Sequence, residues 1–427
     1  MSQNRQIEVF VLDAHFRQAL AAMRSLARGG VRVGAVACRS WASWAPAFKS
    51  RLCSFAAVVP DFTDDPEGYV DALRALLDEY PARMILPAHD GSIEAIRPRR
   101  AELESRTFLP LASEAALSIA VSKPRTLALA KELNIAVPRG VLVSDGGDVR
   151  AAINEVGCPA VIKPVSSWGQ RDGVGKSCSC MLALTVDEAK RSVDVLSAAG
   201  VKSLVQQWLP GRRDAVSIFF AAGQVWARFA QTSYREFPPL GGSSVLCESI
   251  PLRADLTEPA EQLVRTIGLE GCSMVEFRGD QAGHPVLMEI NPRMAGSVAL
   301  AISAGVDFPG LLYAWARQEP LHEIKEYRVG RRLRWLGGDL WNLRMTFDGQ
   351  GRPDNPSRSA AVTTFLTDFF LRPSRLDGVD VHDMMPAFAE LRNTLVEPAY
   401  SRAREMLGGR RSATPKITTR SDVAPRR

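Results

Sequence analysis

Apolar residues over the first hundred positions recur with two spacings, one typical of strands and one typical of helices. Short apolar runs at 7–12, 31–36 and 84–87 predict strands, because each is too short for a buried helix. Residues 17–28 and 69–80 carry apolar side chains three or four positions apart, which predicts amphipathic helices. Strands that alternate with helices indicate an α/β domain with a parallel sheet.

The pattern changes after this region to one that predicts helices followed by hairpins. A helical pattern leads into an apolar strand that carries a single lysine, and further on two pairs of strand-like runs are separated by short turn signals. From about residue 322 the pattern weakens, and a strand and a helix are predicted there. The predicted features are helices at 113–133, 187–198 and 258–267, strands at 159–164, 178–184 and 204–211, a Gly/Ser loop at 165–176, hairpins at 215–231 and 273–290, a polar loop at 233–244, a strand at 332–336 and a helix at 387–400.

These shifts predict five segments along the chain. Residues 1–112 form an α/β, Rossmann-like domain, and 113–210 and 211–321 form two α+β subdomains. Residues 322–407 are predicted to be a small C-terminal unit. Residues 408–427 are rich in Arg, Ser, Thr and Pro, a composition typical of disorder.

Composition places the chain among globular proteins of two to three domains. It has 427 residues, of which 46% are hydrophobic and 23% charged. We find no apolar run of the length needed to cross a membrane and no signal-peptide core near the N-terminus, so a cytoplasmic location is expected. Seven cysteines without a CxxC pair indicate neither a disulfide framework nor a zinc site.

The net charge of +6 is concentrated in the last twenty residues. That segment has six basic residues and one acidic residue, a balance of +5, which leaves about +1 for the rest of the chain. Nucleic-acid binding by the folded part is therefore not supported. A weak contact of the tail with anionic partners is left open.

Candidate chemistry is concentrated in the predicted hairpin at 273–290. Pairing about the turn at 280–284 places Glu276 opposite Glu289, and alternation along the strand puts Asn291 on the same face as Glu289. Opposed carboxylates repel unless a cation lies between them, and oxygen ligands suit Mg²⁺. The alternative, an exposed hairpin with scattered acidic residues, stays open on spacing alone.

Several short motifs occur in a fixed order around this hairpin. Taken together they resemble the ATP-grasp superfamily of carboxylate–amine and carboxylate–thiol ligases, over about residues 1–315. The resemblance implies an α/β domain followed by α+β ATP-grasp subdomains, the first of which contributes a lid. The motifs are Ser122-Lys123-Pro124, Val161-Ile162-Lys163-Pro164, Val205-Gln206-Gln207-Trp208-Leu209-Pro210-Gly211, Val275-Glu276-Phe277 and Met288-Glu289-Ile290-Asn291-Pro292-Arg293.

The resemblance implies an ATP site. Lys163 and its partner Lys123 would bind phosphate oxygens, although Lys123 could also be a solvated lysine at a helix start. Backbone N–H groups of the Gly/Ser loop would close over the β- and γ-phosphates, a role that falls on Ser166, Gly169, Gly173 and Gly175.

The strand that precedes Gly211 would bind the adenine through the backbone of Gln207 and Leu209, with Gln206 near the base edge. The family often has an acidic residue at one of the two glutamines, so this chain departs from the pattern. Asp214 is the candidate for the ribose hydroxyls, with an exposed turn acid as its alternative.

The metal set implied by the resemblance is Glu276, Glu289 and Asn291, which would bind Mg²⁺, with Mn²⁺ as a substitute. Arg293 would neutralise the transferring phosphoryl group or bind the substrate carboxylate, unless it only pairs with Glu289. Arg235, in the polar loop, would hold an anionic substrate, unless that loop is merely surface.

The resemblance implies an ADP-forming ligase that joins a small-molecule carboxylate to an amine through an acyl phosphate. Two alternatives remain: an ATP-grasp enzyme with a thiol or bicarbonate acceptor, and an ATP-binding regulatory protein without turnover. A dehydrogenase is disfavoured because the loop at 13–15 lacks the G-x-G-x-x-G pattern. A homodimer is left open.

Overall fold

The structure, a computed structural model, describes residues 6–144, 148–165, 168–171, 174–177, 180–198, 200–349, 352–392 and 394. The chain divides into two compact units, which are described separately. The first unit combines Met1–Leu109 with Asp377–Arg427, and the second is Pro110–Leu376.

The first unit is built on a four-stranded parallel sheet of order β3-β2-β1-β4. This confirms the α/β prediction, although the third strand was not predicted. β1, β2 and β4 are buried along their whole length, and α1 packs Leu20, Met23 and Leu26 into the core. The elements are β1 (Val9–Val11), α1 (Arg17–Arg28), β2 (Val33–Cys38), β3 (Phe55–Val59), α2 (Pro66–Glu79), β4 (Met84–Leu86), α3 (Asp90–Ile96) and α4 (Arg100–Glu104).

The segment after Asp377 completes this first unit through buried polar contacts. The Asp383 carboxylate accepts hydrogen bonds from Arg24 Nε at 2.9 Å and from Ser50 Oγ at 2.5 Å. Arg17 Nη1 lies 2.6 Å from Asp377 Oδ2. The predicted separate unit at 322–407 is therefore wrong: its beginning belongs to the second unit and its end to the first.

The second unit contains a four-stranded sheet of order β5-β10-β6-β9, a seven-stranded sheet of order β15-β14-β11-β12-β13-β16-β17, and the pair β7-β8. Its helices are α5 (Glu114–Ala120), α6 (Lys123–Glu132), α7 (Val149–Val156), α8 (Val186–Ala198), α9 (Ala254–Ile267), α10 (Val298–Ala304), α11 (Phe308–Ala316), α12 (Leu336–Phe347) and α13 (Arg358–Phe370). Its strands are β5 (Gly140–Val143), β6 (Ala160–Pro164), β7 (Trp168–Arg171), β8 (Val174–Ser177), β9 (Met181–Ala183), β10 (Ser203–Gln207), β11 (Arg213–Ala221), β12 (Gln224–Phe237), β13 (Ser243–Ser249), β14 (Gly271–Gly279), β15 (Pro285–Asn291), β16 (Arg332–Arg334) and β17 (Arg375–Leu376).

The two faces of the four-stranded sheet differ in chemistry. Val205 and Ile162 are register partners, and both belong to the apolar core that the sheet forms with α7 and α8. Since side chains alternate along a strand, the neighbouring positions Lys163, Leu204 and Gln206 lie on the opposite face. One face is thus structural, and the other carries the polar candidates.

Two predicted loops contain strands instead. Ser233–Phe237 is the end of β12 and Ser243–Ser249 is β13, so only the turn between them remains of the polar loop at 233–244. Within the Gly/Ser loop, β7 and β8 pair as an antiparallel ribbon. Pro and Gly in the segment 233–244, and Gly and Ser in the Gly/Ser loop, are typical of loops. The strands there form because partner strands pair with them.

Among the described residues, no single helix has the length and apolar character to cross a membrane. Only α10 and α11 taken together, with a bend of 91° between them, meet those two criteria.

Asp13 in the first unit gives a prediction about pH. It follows β1 at a left-handed φ of 60°, and its Oδ2 accepts from Ala88 N at 3.0 Å and Ser92 Oγ at 2.6 Å. Burial raises the pKa of Asp13 to about 6. The pKa of Asp13 is higher in the folded than in the unfolded state. Protonated Asp13 therefore contributes to the free energy of unfolding below about pH 4, and this contribution of roughly 3 kcal/mol is lost as the pH rises toward about 6.

We expect Asp13→Asn to remove this pH dependence, since the amide cannot titrate. Hydrogen-exchange protection factors of the peptide 6–16 measure it, with Asp64→Asn, at an exposed aspartate of the same unit, as the control. Equal pH dependence in wild type and Asp13→Asn would contradict the assignment to Asp13.

Candidate active site

The hairpin of β14 and β15 places the two predicted metal carboxylates opposite each other. Glu276 and Glu289 are register partners, as are Met274 and Asn291. The turn is fixed by Asp280, whose Oδ1 accepts the N–H groups of Ala282 and His284, both at 2.9 Å. The predicted pairing is confirmed, and the alternative of an exposed hairpin is wrong because Glu276 is only 6% exposed.

Asn291 adds an amide group beside the two carboxylates. Its Nδ2 donates to Glu276 Oε1 at 3.1 Å, and its Oδ1 accepts from Arg293 Nη2 at 3.4 Å. Two carboxylates and one amide oxygen are few enough to leave coordination positions for waters and phosphates, as Mg²⁺ requires. No cluster of three or more His, Cys, Asp or Glu side chains suited to a metal occurs in the described part of the chain.

Two buried lysines face this hairpin. Lys123 begins α6 and is 5% exposed, and its Nζ lies 3.4 Å from Glu289 Oε2, so it is not a solvated lysine. Lys163 in β6 is 7% exposed, and its Nζ makes no ion pair or hydrogen bond with any described residue. Burial lowers the pKa of Lys163, partly offset by Glu289. A buried ammonium without a partner is costly unless an anion binds it.

The two opposed carboxylates have different electrostatic environments. Burial raises the pKa of Glu276, since Arg213 offsets only part of that effect and Glu289 adds to it. Burial also acts on Glu289, but Lys123 and Lys163 outweigh it and lower its pKa. Glu289 is therefore the more firmly ionised of the two, and a cation between them would favour ionisation of both.

Glu276 also contacts a network of arginines that sequence analysis did not identify. Arg213 Nη1 lies 3.3 Å from Glu276 Oε2 and donates to Gly242 O at 2.7 Å. Glu236 accepts from Arg278 Nη2 at 2.7 and 2.9 Å. Arg213 lies two residues before Ala215, the register partner of Glu276, and so shares its face. That register is set across the sheet, so the sequence alone did not reveal the contact.

The buried charges around the hairpin do not balance. Among the described residues, four basic groups stand against three carboxylates, of which Glu289 is partly buried. This leaves a surplus of +1, and the partly buried Arg293 raises it to +2. A cationic surplus in a low-dielectric site favours anionic ligands such as phosphates. The groups are Lys123, Lys163, Arg213 and Arg278 against Glu236, Glu276 and Glu289.

The predicted adenine strand presents one unsatisfied side chain. Gln206 is 1% exposed, and neither its Oε1 nor its Nε2 has a hydrogen-bond partner among the described residues. It shares a sheet face with Lys163, so both lie on the polar side of β6 and β10. Gln207 is engaged instead, since its Oε1 accepts from Arg139 N at 3.3 Å. Leu209 is buried.

Two predicted residues are not brought to the site. Asp214 pairs with Phe277 in register, so its side chain lies on the face opposite to Glu276, where Arg253 lies 3.5 Å away. Arg235 is fully engaged by carboxylates: its Nε and Nη2 lie 2.6 and 2.8 Å from Asp339, and its Nη1 lies 2.7 Å from Asp368. These positions do not support the predicted role of Asp214 in ribose binding or that of Arg235 in substrate binding.

The Gly/Ser loop is described only in part. Gly169 lies in β7 opposite Lys176, and Gly175 lies in β8 opposite Gln170. Ser166 and Gly173 lie outside the described residues, as does the predicted basic tail.

Comparisons with known proteins agree with this arrangement. Residues 201–338 match a family profile described as "ATP-grasp in the biosynthetic pathway with Ter operon". D-alanine--D-alanine ligase B of Pseudomonas putida is 27% identical over 215 residues, which are 47% of this chain and 64% of that protein. These matches support the ATP-grasp superfamily for this chain. Its match therefore spans just under two thirds of that relative.

Solved ATP-grasp structures share the fold of this ATP-grasp chain. The biotin carboxylase of Campylobacter jejuni superimposes with a TM-score of 0.61 at 15% identity and covers 78% of this chain and 75% of its own. The L-amino acid ligase of Bacillus licheniformis gives 0.55 at 16% identity, with 77% and 79% covered. The predicted fold class is thereby confirmed, apart from the separate C-terminal unit.

Proposed function

We propose that this ATP-grasp protein is an ADP-forming ligase that joins a small-molecule carboxylate to an amine. The observation that carries the proposal is the pairing of Glu276 and Glu289 beside two buried lysines, one of which has no partner among the described residues. Such a site offers cations for phosphates and oxygen ligands for Mg²⁺.

In the proposed reaction, a substrate carboxylate oxygen attacks the γ-phosphorus of ATP, and ADP leaves as the new O–P bond forms. The amine nitrogen then attacks the acyl carbon, the C–O bond to phosphate breaks, and the nitrogen loses a proton. Lys163 and Lys123 would bind phosphate oxygens, and Arg293 would stabilise charge on the transferred group.

Glu276, Glu289 and Asn291 would hold Mg²⁺, or Mn²⁺ in its place. When bound, the ion neutralises charge on the β- and γ-phosphates. The chain's own contribution is to hold two carboxylates in register and to keep Glu289 ionised beside Lys123.

For the substrates we propose amino acids or short peptides, and for the location the cytoplasm. Support comes from the names of a D-alanine--D-alanine ligase and an L-amino acid ligase among the similar proteins. The similarity to a biotin carboxylase keeps a non-amine acceptor as the alternative.

The test uses purified full-length chain with ATP, Mg²⁺ and pooled amino acids whose carboxylates carry ¹⁸O. We expect ADP to appear together with one ¹⁸O atom in each phosphate released. ADP without labelled phosphate would contradict the acyl-phosphate route. ATP binding without any ADP would indicate a regulatory protein instead.

A further inference from the structure

A second cationic site lies on the second unit, away from the hairpin. A cavity of about 450 Å³ is bounded by the C-terminal part of α10 and by the segments that lead into β16 and β17. This volume is typical of small-molecule sites. Its lining residues are Ile302, Ser303, Arg328, Gly330, Arg331, Arg332, Pro373 and Arg375.

The position of this cavity in the sheet separates it from the ATP site. β15, which carries Glu289, and β17, which carries Arg375, are the two edges of the seven-stranded sheet. Adjacent strands lie about 4.8 Å apart, so the two edges are separated by roughly 29 Å measured along the sheet. A phosphate chain bound at Glu289 does not span this distance.

Three of the four arginines in the cavity lack a compensating charge. Within the described residues, the side chains of Arg328, Arg331 and Arg375 have no ion pair and no hydrogen bond, and all three are exposed. The fourth, Arg332, is already engaged, with its Nη2 3.0 Å from Asp368 Oδ1 and its Nε 3.3 Å from Glu248 Oε2.

The three free arginines come from neighbouring segments around one cavity. Arg331 directly precedes β16, and Arg375 lies in β17, the strand that pairs with β16. Arg328 is tied to the end of α10, since its N–H donates to Ala304 O at 2.9 Å. The partial negative charge of a helix C-terminus, about half an elementary charge, does not balance three guanidinium groups.

We propose that this cavity binds a compact phosphorylated small molecule at a site separate from that of ATP. Guanidinium groups match phosphate oxygens in a bidentate geometry, and three of them around one cavity suit a ligand with at least two negative charges. A recess of this size admits a small anion, whereas a nucleic-acid duplex or a membrane surface would not enter it.

Pyrophosphate is the probe, titrated calorimetrically into full-length protein that carries Lys163→Gln to weaken binding at the ATP site. We expect the triple variant Arg328→Gln/Arg331→Gln/Arg375→Gln to lose at least about tenfold in pyrophosphate affinity. The matched control Arg150→Gln removes an exposed arginine of α7 and should change nothing. Citrate serves as the competing probe.

Equal affinity in the triple variant and the control would overturn the site. Tighter binding of citrate than of pyrophosphate would overturn the assignment to phosphate. The basic segment 408–427 is present in every variant, so its contribution cancels. The result does not depend on ligase turnover, and failure here leaves the proposed function untouched.

Discussion

Glu289→Gln is expected to reduce turnover by at least about 100-fold, because it removes one of two opposed metal carboxylates and the partner of Lys123. The side chain keeps its size, so the midpoint of thermal unfolding should move little. Steady-state ADP release and calorimetric titration of MgATP, measured on the same preparation, would show the two losses together.

Glu258→Gln is the matched control for this variant. Glu258 lies exposed on α9 in the same unit, so the same chemical change there should leave turnover intact. Full turnover in Glu289→Gln would show that the metal assignment is wrong, whatever the behaviour of ATP binding.

Lys163→Met is expected to separate ATP binding from stability. Loss of the Lys163 ammonium group should weaken ATP binding by about 10–100-fold, as expected for a charge-assisted hydrogen bond. The same change should stabilise the protein by roughly 1–3 kcal/mol, because a buried ammonium without a described partner is replaced by an apolar chain of similar length. Urea unfolding and ATP titration measure the two effects.

Lys190→Met provides the comparison, since Lys190 is exposed on α8 and, among the described residues, pairs with Asp194 alone. It should change neither ATP affinity nor stability by a measurable amount. A destabilised Lys163→Met would mean that Lys163 supports the fold, and its assignment as a phosphate ligand would lose its physical basis.

The sequence predicts those elements whose contacts are made between residues close in the chain. The helix at 17–28 and the hairpin of β14 and β15 depend on residues close in the chain, and both were predicted. β3 and β13 were not predicted, because they are strands through pairing with neighbouring strands rather than through the pattern of their own residues. The extent of β12 was missed for the same reason.

The candidate site divides in a similar way. Glu276, Glu289 and Asn291 could be placed from alternation along one hairpin. Arg235 could not be judged, because the two aspartates that occupy it lie more than a hundred residues further along the chain. Asp214 needed only the register of β11 against β14 to be excluded, and that register is set by contacts across the sheet.

The first unit is made from both ends of the chain, and this bears on how the protein is synthesised. Arg24 and Ser50 emerge from the ribosome early, but Asp383, which binds both, follows more than three hundred residues later. The second unit, Pro110–Leu376, is contiguous and emerges before that partner does. The last unit to reach its native contacts is therefore the one whose synthesis began first.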